Sequence, residues 1–112
     1  LEAGRPVPVE EKDSLADSLL GGIGVDNRYT LPMVERFADE HIRVSEEEIG
    51  DGMFHMFEKH RLIVEGAAAV GVGALLHRKI DVRGRRVVSL LTGSSIDSGR
   101  YCRILQSRMR PG

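Results

Sequence analysis

Val64-Glu65-Gly66-Ala67-Ala68-Ala69-Val70-Gly71-Val72-Gly73-Ala74-Leu75-Leu76, followed by Val87-Val88-Ser89-Leu90-Leu91-Thr92-Gly93-Ser94-Ser95-Ile96-Asp97, decides how the chain is read. The first run is apolar and made largely of small residues. It is too long for an ordinary strand and too short to cross a bilayer. The second is β-branched and aliphatic and ends abruptly in small polar residues. Together they predict a buried helix packed on a buried strand, with a small-residue loop at the strand's C-terminal end. Open α/β sheets bind their ligands at such loops. Glu65 opens the helix and Thr92 closes the strand, which makes both candidates for chemistry.

The flanking sequence supplies further elements. Ser45-Glu46-Glu47-Glu48 has the form of a capping box, and its acids suit the positive end of a helix dipole. Ile49, Met53, Met56 and Phe57 continue this helix to about His60 with one apolar stripe, read as core contact and not as a cofactor box. The glycines of the 65–77 helix lower its propensity, so they are expected to let a neighbouring backbone come close. Upstream, residues 1–12 read as loop, and Asp13-Ser14 caps a short turn over 15–20. Thr30 is the expected N-cap of a helix carrying Met33, Val34, Phe37 and Ala38. His41-Ile42-Arg43-Val44 alternates and predicts a short strand, residues 86–91 a second, and Asp97-Ser98 a cap for a last helix with Tyr101, Ile104 and Leu105. The order helix, strand, helix, helix, strand, helix indicates an α/β architecture with a parallel pair. Two strands make a poor sheet, so the expectation is an incomplete domain.

With 16 Lys and Arg against 17 Asp and Glu in 112 residues, the net charge is near zero. That argues against a nucleic-acid binder relying on phosphate neutralisation. Arg83, Arg85 and Arg86 read as a solvated loop. One cysteine, Cys102, rules out an internal disulfide framework and fits a reducing, cytoplasmic setting. No signal peptide or membrane segment is expected, and a chain that begins at Leu1 points to processing or to a cut from something longer. His41, His55, His60 and His77 lack helical zinc-site spacing, so no metal site is expected. Gly21-Gly22-Ile23-Gly24 reads either as a backbone cradle for phosphate or, more commonly, as a tight turn. Ser94 and Ser95 have no identifiable base. The hydroxyl of Thr92 suits one directional hydrogen bond to a ligand ring nitrogen, and Gly93 leaves space for a flat ring.

Read in order, Ser14-Leu15-Ala16-Asp17-Ser18, Gly22-Ile23-Gly24-Val25-Asp26-Asn27, Val44-Ser45-Glu46-Glu47-Glu48-Ile49, Leu62-Ile63-Val64-Glu65-Gly66-Ala67-Ala68-Ala69 and Leu91-Thr92-Gly93-Ser94-Ser95-Ile96-Asp97 resemble the C-terminal part of the threonine dehydratase and serine racemase family. These are fold-type-II enzymes dependent on pyridoxal phosphate, with a tryptophan synthase β-like large domain. Ala16-Asp17-Ser18 and the segment from Gly21 to Thr30 look most like dehydratase-like proteins of hydroxyectoine utilisation. The resemblance implies that residues 1–112 are the C-terminal portion of that large domain, helices around a few parallel strands. It also implies β-elimination from a hydroxy amino acid, giving a keto acid and ammonia.

By the same resemblance, Thr92 matches the residue facing the cofactor's pyridine nitrogen, Gly93 the glycine beside it, and Glu65 an acid near the ring. Asp17, Ser18, Gly21 and Gly22 fall in the segment bordering the substrate side. Asp26 matches a position near the divalent-cation site of serine racemases, without the main ligands. Three departures stand out. Ser18 replaces a usual glycine, Gly66 a usual proline, and Gly93-Ser94-Ser95 replaces Gly-Gly-Asn, which puts that Asn's hydrogen bond in question. Lys12, Lys59 and Lys79 match no Schiff-base motif. That lysine, the glycine-rich phosphate loop and the carboxylate-gripping loop are expected before residue 1, so no catalytic residue is assigned here. The implied partners are the amino acid substrate, the missing N-terminal part and further copies in a homo-oligomer. The alternative is a non-catalytic regulatory or interaction module built from this fold.

Overall fold

The computed structural model describes residues 3–109. Among the described residues four α-helices carry the architecture: α1 Thr30–Phe37, α2 Glu46–His60, α3 Gly66–Leu76 and α4 Ser98–Gln106, preceded by one 3-10 turn at Asp17–Leu19. No helix among the described residues is long and apolar enough to cross a membrane.

The capping box forms as expected. Glu48 N–H donates to Ser45 Oγ at 3.3 Å, and Ser45 N–H donates to Glu48 Oε2 at 2.7 Å. At the other end Arg61 takes the left-handed conformation (φ 59°), and the Arg61 and Leu62 N–H groups close back on Phe57 and Met56 carbonyls. This saturates carbonyls that a helix end leaves free. The α4 cap also forms, with Arg100 N–H donating to Asp97 Oδ1 at 2.8 Å. At α1 the expectation fails. Tyr29 is the N-cap and Thr30 the first helical residue, because Asn27 Oδ1 already accepts the Leu31 N–H at 2.8 Å.

α3 packs on α2 through the backbone. A Cβ on Gly52 would stand 2.7 Å from the Ala69 carbonyl oxygen and 3.0 Å from Gly73 N, and one on Gly73 would stand 2.5 Å from the Glu48 carbonyl oxygen. The core closes around this crossing with Ile49, Met53 and Met56 of α2, Ala68, Ala69 and Val72 of α3, and Tyr101, Ile104 and Leu105 of α4. Met53 has no exposed surface at all. Phe57 meets Tyr101 edge-on, with ring centroids 6.1 Å apart. Burial pushes the Tyr101 phenol above its ordinary range.

Polar ties lock the periphery. Asp51 of α2 accepts Arg108 Nε–H at 2.9 Å through one oxygen and lies 2.9 Å from His77 Nε2 through the other. Lys79 Nζ reaches Glu48 Oε1 at 2.9 Å.

The two predicted strands do not form: among the described residues there is no strand. At 41–44 the alternation survives as burial, with Ile42 and Val44 half-buried and His41 and Arg43 exposed. Residues 86–91 are non-helical, with Val87, Val88 and Leu90 exposed. A strand exists only through a neighbour's N–H and C=O groups. Near the 91–93 segment, among the described residues, one bond of that kind forms, from Glu65 N–H to the Gly93 carbonyl at 3.1 Å. The parallel pair is therefore not confirmed: among the described residues both segments run without a ladder.

Two expected outcomes follow from this packing. Gly73→Ala destabilises the intact protein by roughly 1–3 kcal/mol through overpacking, although alanine is the better helix former by about 1 kcal/mol. Gly71→Ala faces only the Ser89 hydroxyl, which can rotate away, so it is neutral or stabilising. Thermal melts of both variants check the contrast, and equal effects would refute the backbone contact. The second concerns acid. The Ser45 N–H, and after it the Lys79 ammonium, hold the Glu48 carboxyl below its ordinary range. A depressed folded-state value stabilises the fold above the unfolded value, and that contribution disappears as pH falls through the folded one. Glu48→Gln therefore lowers stability near neutral pH and flattens its decline in acid, measurable by denaturant titration across pH.

Candidate functional site

The carboxylate of Glu65 organises the end of the molecule where α3 begins. Glu65 is the N-cap residue of α3 but does not cap it: no side-chain bond runs to the helix N–H groups. Its side chain turns instead to two other segments. Ser18 Oγ–H donates to Oε1 at 2.9 Å, and Ser95 N–H donates to Oε2 at 3.0 Å. The space is made by Gly93, where a Cβ would fall 2.7 Å from Glu65 Oε2 and closer still to the rest of the carboxylate. The Glu65 carboxylate thus takes the place of a side chain at position 93.

Beside this junction, Thr92 is exposed, and among the described residues its hydroxyl has no protein hydrogen-bond partner. It lines a shallow cleft of about 180 Å³ with Leu62, Ile63, Val64, Leu91, Gly93 and Ser94. Its neutral hydroxyl can both donate and accept one directional hydrogen bond in this cleft.

Asp17 reaches the same end of the fold by another route. Its Oδ2 accepts Arg100 Nη1–H at 3.0 Å, while Arg100 Nη2–H donates to the Ser14 carbonyl at 2.8 Å. Ser14 Oγ–H and Leu15 N–H both donate to Glu46, each at 2.6 Å. Leu15 in turn lies against Gly66, where a Cβ would collide with the Leu15 carbonyl. That close approach of the Leu15 backbone leaves position 66 no room for a side chain. The Ser14–Leu19 stretch is thus tied to α2, α3 and α4 together.

Gly21, Gly22 and Asp26 do not join this site. Gly21 (φ 109°) and Gly24 (φ 79°) take left-handed turn geometry, and a Cβ on Gly21 would meet open space. Asp26 instead borders a separate open depression formed by residues 23–30. Among the described residues no cluster of three His, Cys, Asp or Glu could hold a metal. The sequence reading missed Arg100 and the structural use of Glu46. Arg100 lies 83 residues from Asp17, and no local signal directs its guanidinium there. Glu46 read only as an acid in the first turn of a helix.

A family model described as "Pyridoxal-phosphate dependent enzyme" matches residues 1–93. The chain is 44% identical over 110 residues to a Sinorhizobium fredii protein named "Putative threonine dehydratase", covering 98% of this chain and 33% of that protein. It is 37% identical over 105 residues to the "L-threonine ammonia-lyase" of Thermotoga maritima, covering 94% of this chain and 25% of the relative. With the Staphylococcus aureus "L-threonine dehydratase catabolic TdcB" the identity is 33% over 99 residues, covering 86% and 28%. The chain thus spans a third or less of the length of these curated relatives. A family match over most of the sequence, carried through the Glu65 helix as far as Thr92 and Gly93, shows that the chain belongs to the pyridoxal-phosphate dependent enzyme family.

Proposed function

We propose that this chain is part of a threonine dehydratase-like ammonia-lyase that removes the β-hydroxyl of a small hydroxy amino acid, yielding a keto acid and ammonia. The observation that carries the reading is the Thr92 hydroxyl, unpartnered among the described residues, lining the cleft beside a Gly93 backbone held by Glu65. The relatives' names and the family match support it.

Bound pyridoxal phosphate supplies an electron-withdrawing ring that draws charge from the substrate's α-carbon. In this reading Thr92 Oγ1 holds the ring nitrogen by a neutral hydrogen bond. A hydroxyl does not favour a proton on that nitrogen as a carboxylate would, which suits elimination. Gly93 and Glu65 fix the backbone next to Thr92, and Asp17 and Ser18 border the substrate side. Thr92 orients and does not exchange protons, since an alkyl hydroxyl is a poor acid near neutral pH.

Finer parts of the reading rest on narrower support. Assignment to the C-terminal portion of a fold-type-II large domain is supported by the exposed apolar residues Leu62, Ile63, Val87, Val88 and Leu90. Such residues suit parallel strands that pair with the rest of the enzyme and with further copies of it. The hydroxyectoine-utilisation branch is supported by Ala16-Asp17-Ser18 and the segment after it. A cytoplasmic location is supported by the single free cysteine, Cys102.

The test compares Thr92→Ser and Thr92→Asp in the intact protein. Thr92→Ser keeps most of the elimination rate because the hydroxyl survives. Thr92→Asp lowers it by about tenfold or more, since each tenfold loss corresponds to about 1.4 kcal/mol of barrier. Absorbance titration with pyridoxal phosphate confirms that both variants still bind the cofactor. Full activity in Thr92→Asp with none in Thr92→Ser would refute the role. A wild-type protein that binds no cofactor would point to a non-catalytic module.

A further inference from the structure

We infer that Ser18 is a positioning residue: it sets the Thr92–Ser95 loop through the Glu65 carboxylate and does not serve the substrate as a hydrogen-bond donor. The inference rests on the reading of Thr92 given above and adds to it a residue on the opposite segment.

The geometry is a relay of two bonds across one carboxylate. Ser18 Oγ–H meets Glu65 Oε1 at 2.9 Å, and Ser95 N–H meets Glu65 Oε2 at 3.0 Å. A serine hydroxyl carries a single proton, and here that proton is committed to Glu65. Both bonds go to a formal carboxylate, the acceptor that makes the stronger class of hydrogen bond. Each oxygen is held from a different segment, so the plane of the carboxylate is fixed as well as its position. Gly93 leaves no freedom on the remaining side, because the carboxylate already occupies the space of its absent Cβ. Glu65 N–H then adds a backbone bond to the Gly93 carbonyl at 3.1 Å. Residue 65 therefore grips the loop at Gly93 and at Ser95, on either side of Ser94 and directly after Thr92.

Ser18 is itself well anchored. Its neighbour Asp17 is held by Arg100, whose own N–H is capped by Asp97 at the far end of the same loop. The 3-10 turn Asp17–Leu19 is thus joined to the 92–97 segment at both ends, once through Ser18 and Glu65 and once through Asp17 and Arg100. Ser18 is exposed, so loss of its hydroxyl removes the bond without opening a cavity in the core.

A double-mutant cycle on the intact protein tests the relay, using Ser18→Ala, Glu65→Gln and the pair. Two quantities are read: the dissociation constant of pyridoxal phosphate by absorbance titration, and hydrogen exchange at the Ser95 amide. Ser18→Ala is expected to weaken cofactor binding roughly fivefold and to speed Ser95 exchange by a similar factor, the size of one lost hydrogen bond. The double variant is expected to be no worse than Glu65→Gln alone. Ser18→Thr, which keeps the hydroxyl and whose methyl has room at an exposed site, restores both readings. Additive effects in the cycle would overturn the inference, and so would unchanged Ser95 exchange in Ser18→Ala. A rise in amino acid KM with cofactor affinity and exchange untouched would also overturn it, since Ser18 would then face the substrate. If the wild-type protein binds no pyridoxal phosphate, the proposed function fails, and Ser95 exchange alone still decides whether Ser18 holds the loop.

Discussion

The backbone contact of α2 with α3 is the constraint on which the rest depends. Gly52 and Gly73 bring the two helices close enough that neither tolerates a Cβ at the crossing. A helix as apolar as α3 has no polar face to turn toward water, so it must be covered on most sides. α2 covers one side, and Tyr101, Ile104 and Leu105 of α4 close another. With α3 fixed in this way, its first turn has one available position, and Glu65 at its N-terminus is delivered to the loop that carries Thr92.

Glu65 then does what an N-cap residue seldom does. The side chain gives up the helix N–H groups and accepts from Ser18 and Ser95 instead. This joins segments separated by 47 and 30 residues through one carboxylate. A charged acceptor in such a place organises the polar groups around it. The result is a loop edge held from two segments beside the exposed Thr92 hydroxyl. Glu65 acts as a brace for the loop, with Thr92 left as the group that faces outward.

The polar ties on the opposite end have a different character. Asp51 joins Arg108 and His77, and Lys79 joins Glu48, around groups that are only partly buried. Exposed and half-exposed pairs of this kind contribute little individually. Their role is to fix where the chain leaves α3 and α4, while stability comes from the apolar crossing.

Much of this was legible in local sequence. The Ser45 capping box, the Asp97 cap, the length of α2 and the close-approach role of the α3 glycines depend on residues within a few positions of one another, so pattern alone determined them. What sequence could not determine were the partners. The place of a side chain at Gly93 is taken by the Glu65 carboxylate, because only the fold says which side chain arrives there. Thr30 looked like a cap and yielded that bond to Asn27. Arg100 gave no sign that it would reach Asp17. The segments 41–44 and 86–91 carry strand-forming residues, yet a ladder needs a second chain segment alongside, and tertiary structure alone decides whether one is present. Local sequence determines the hydrogen bonds a segment makes with itself. Bonds between segments far apart in the chain are decided by packing, because their geometry depends on every element in between.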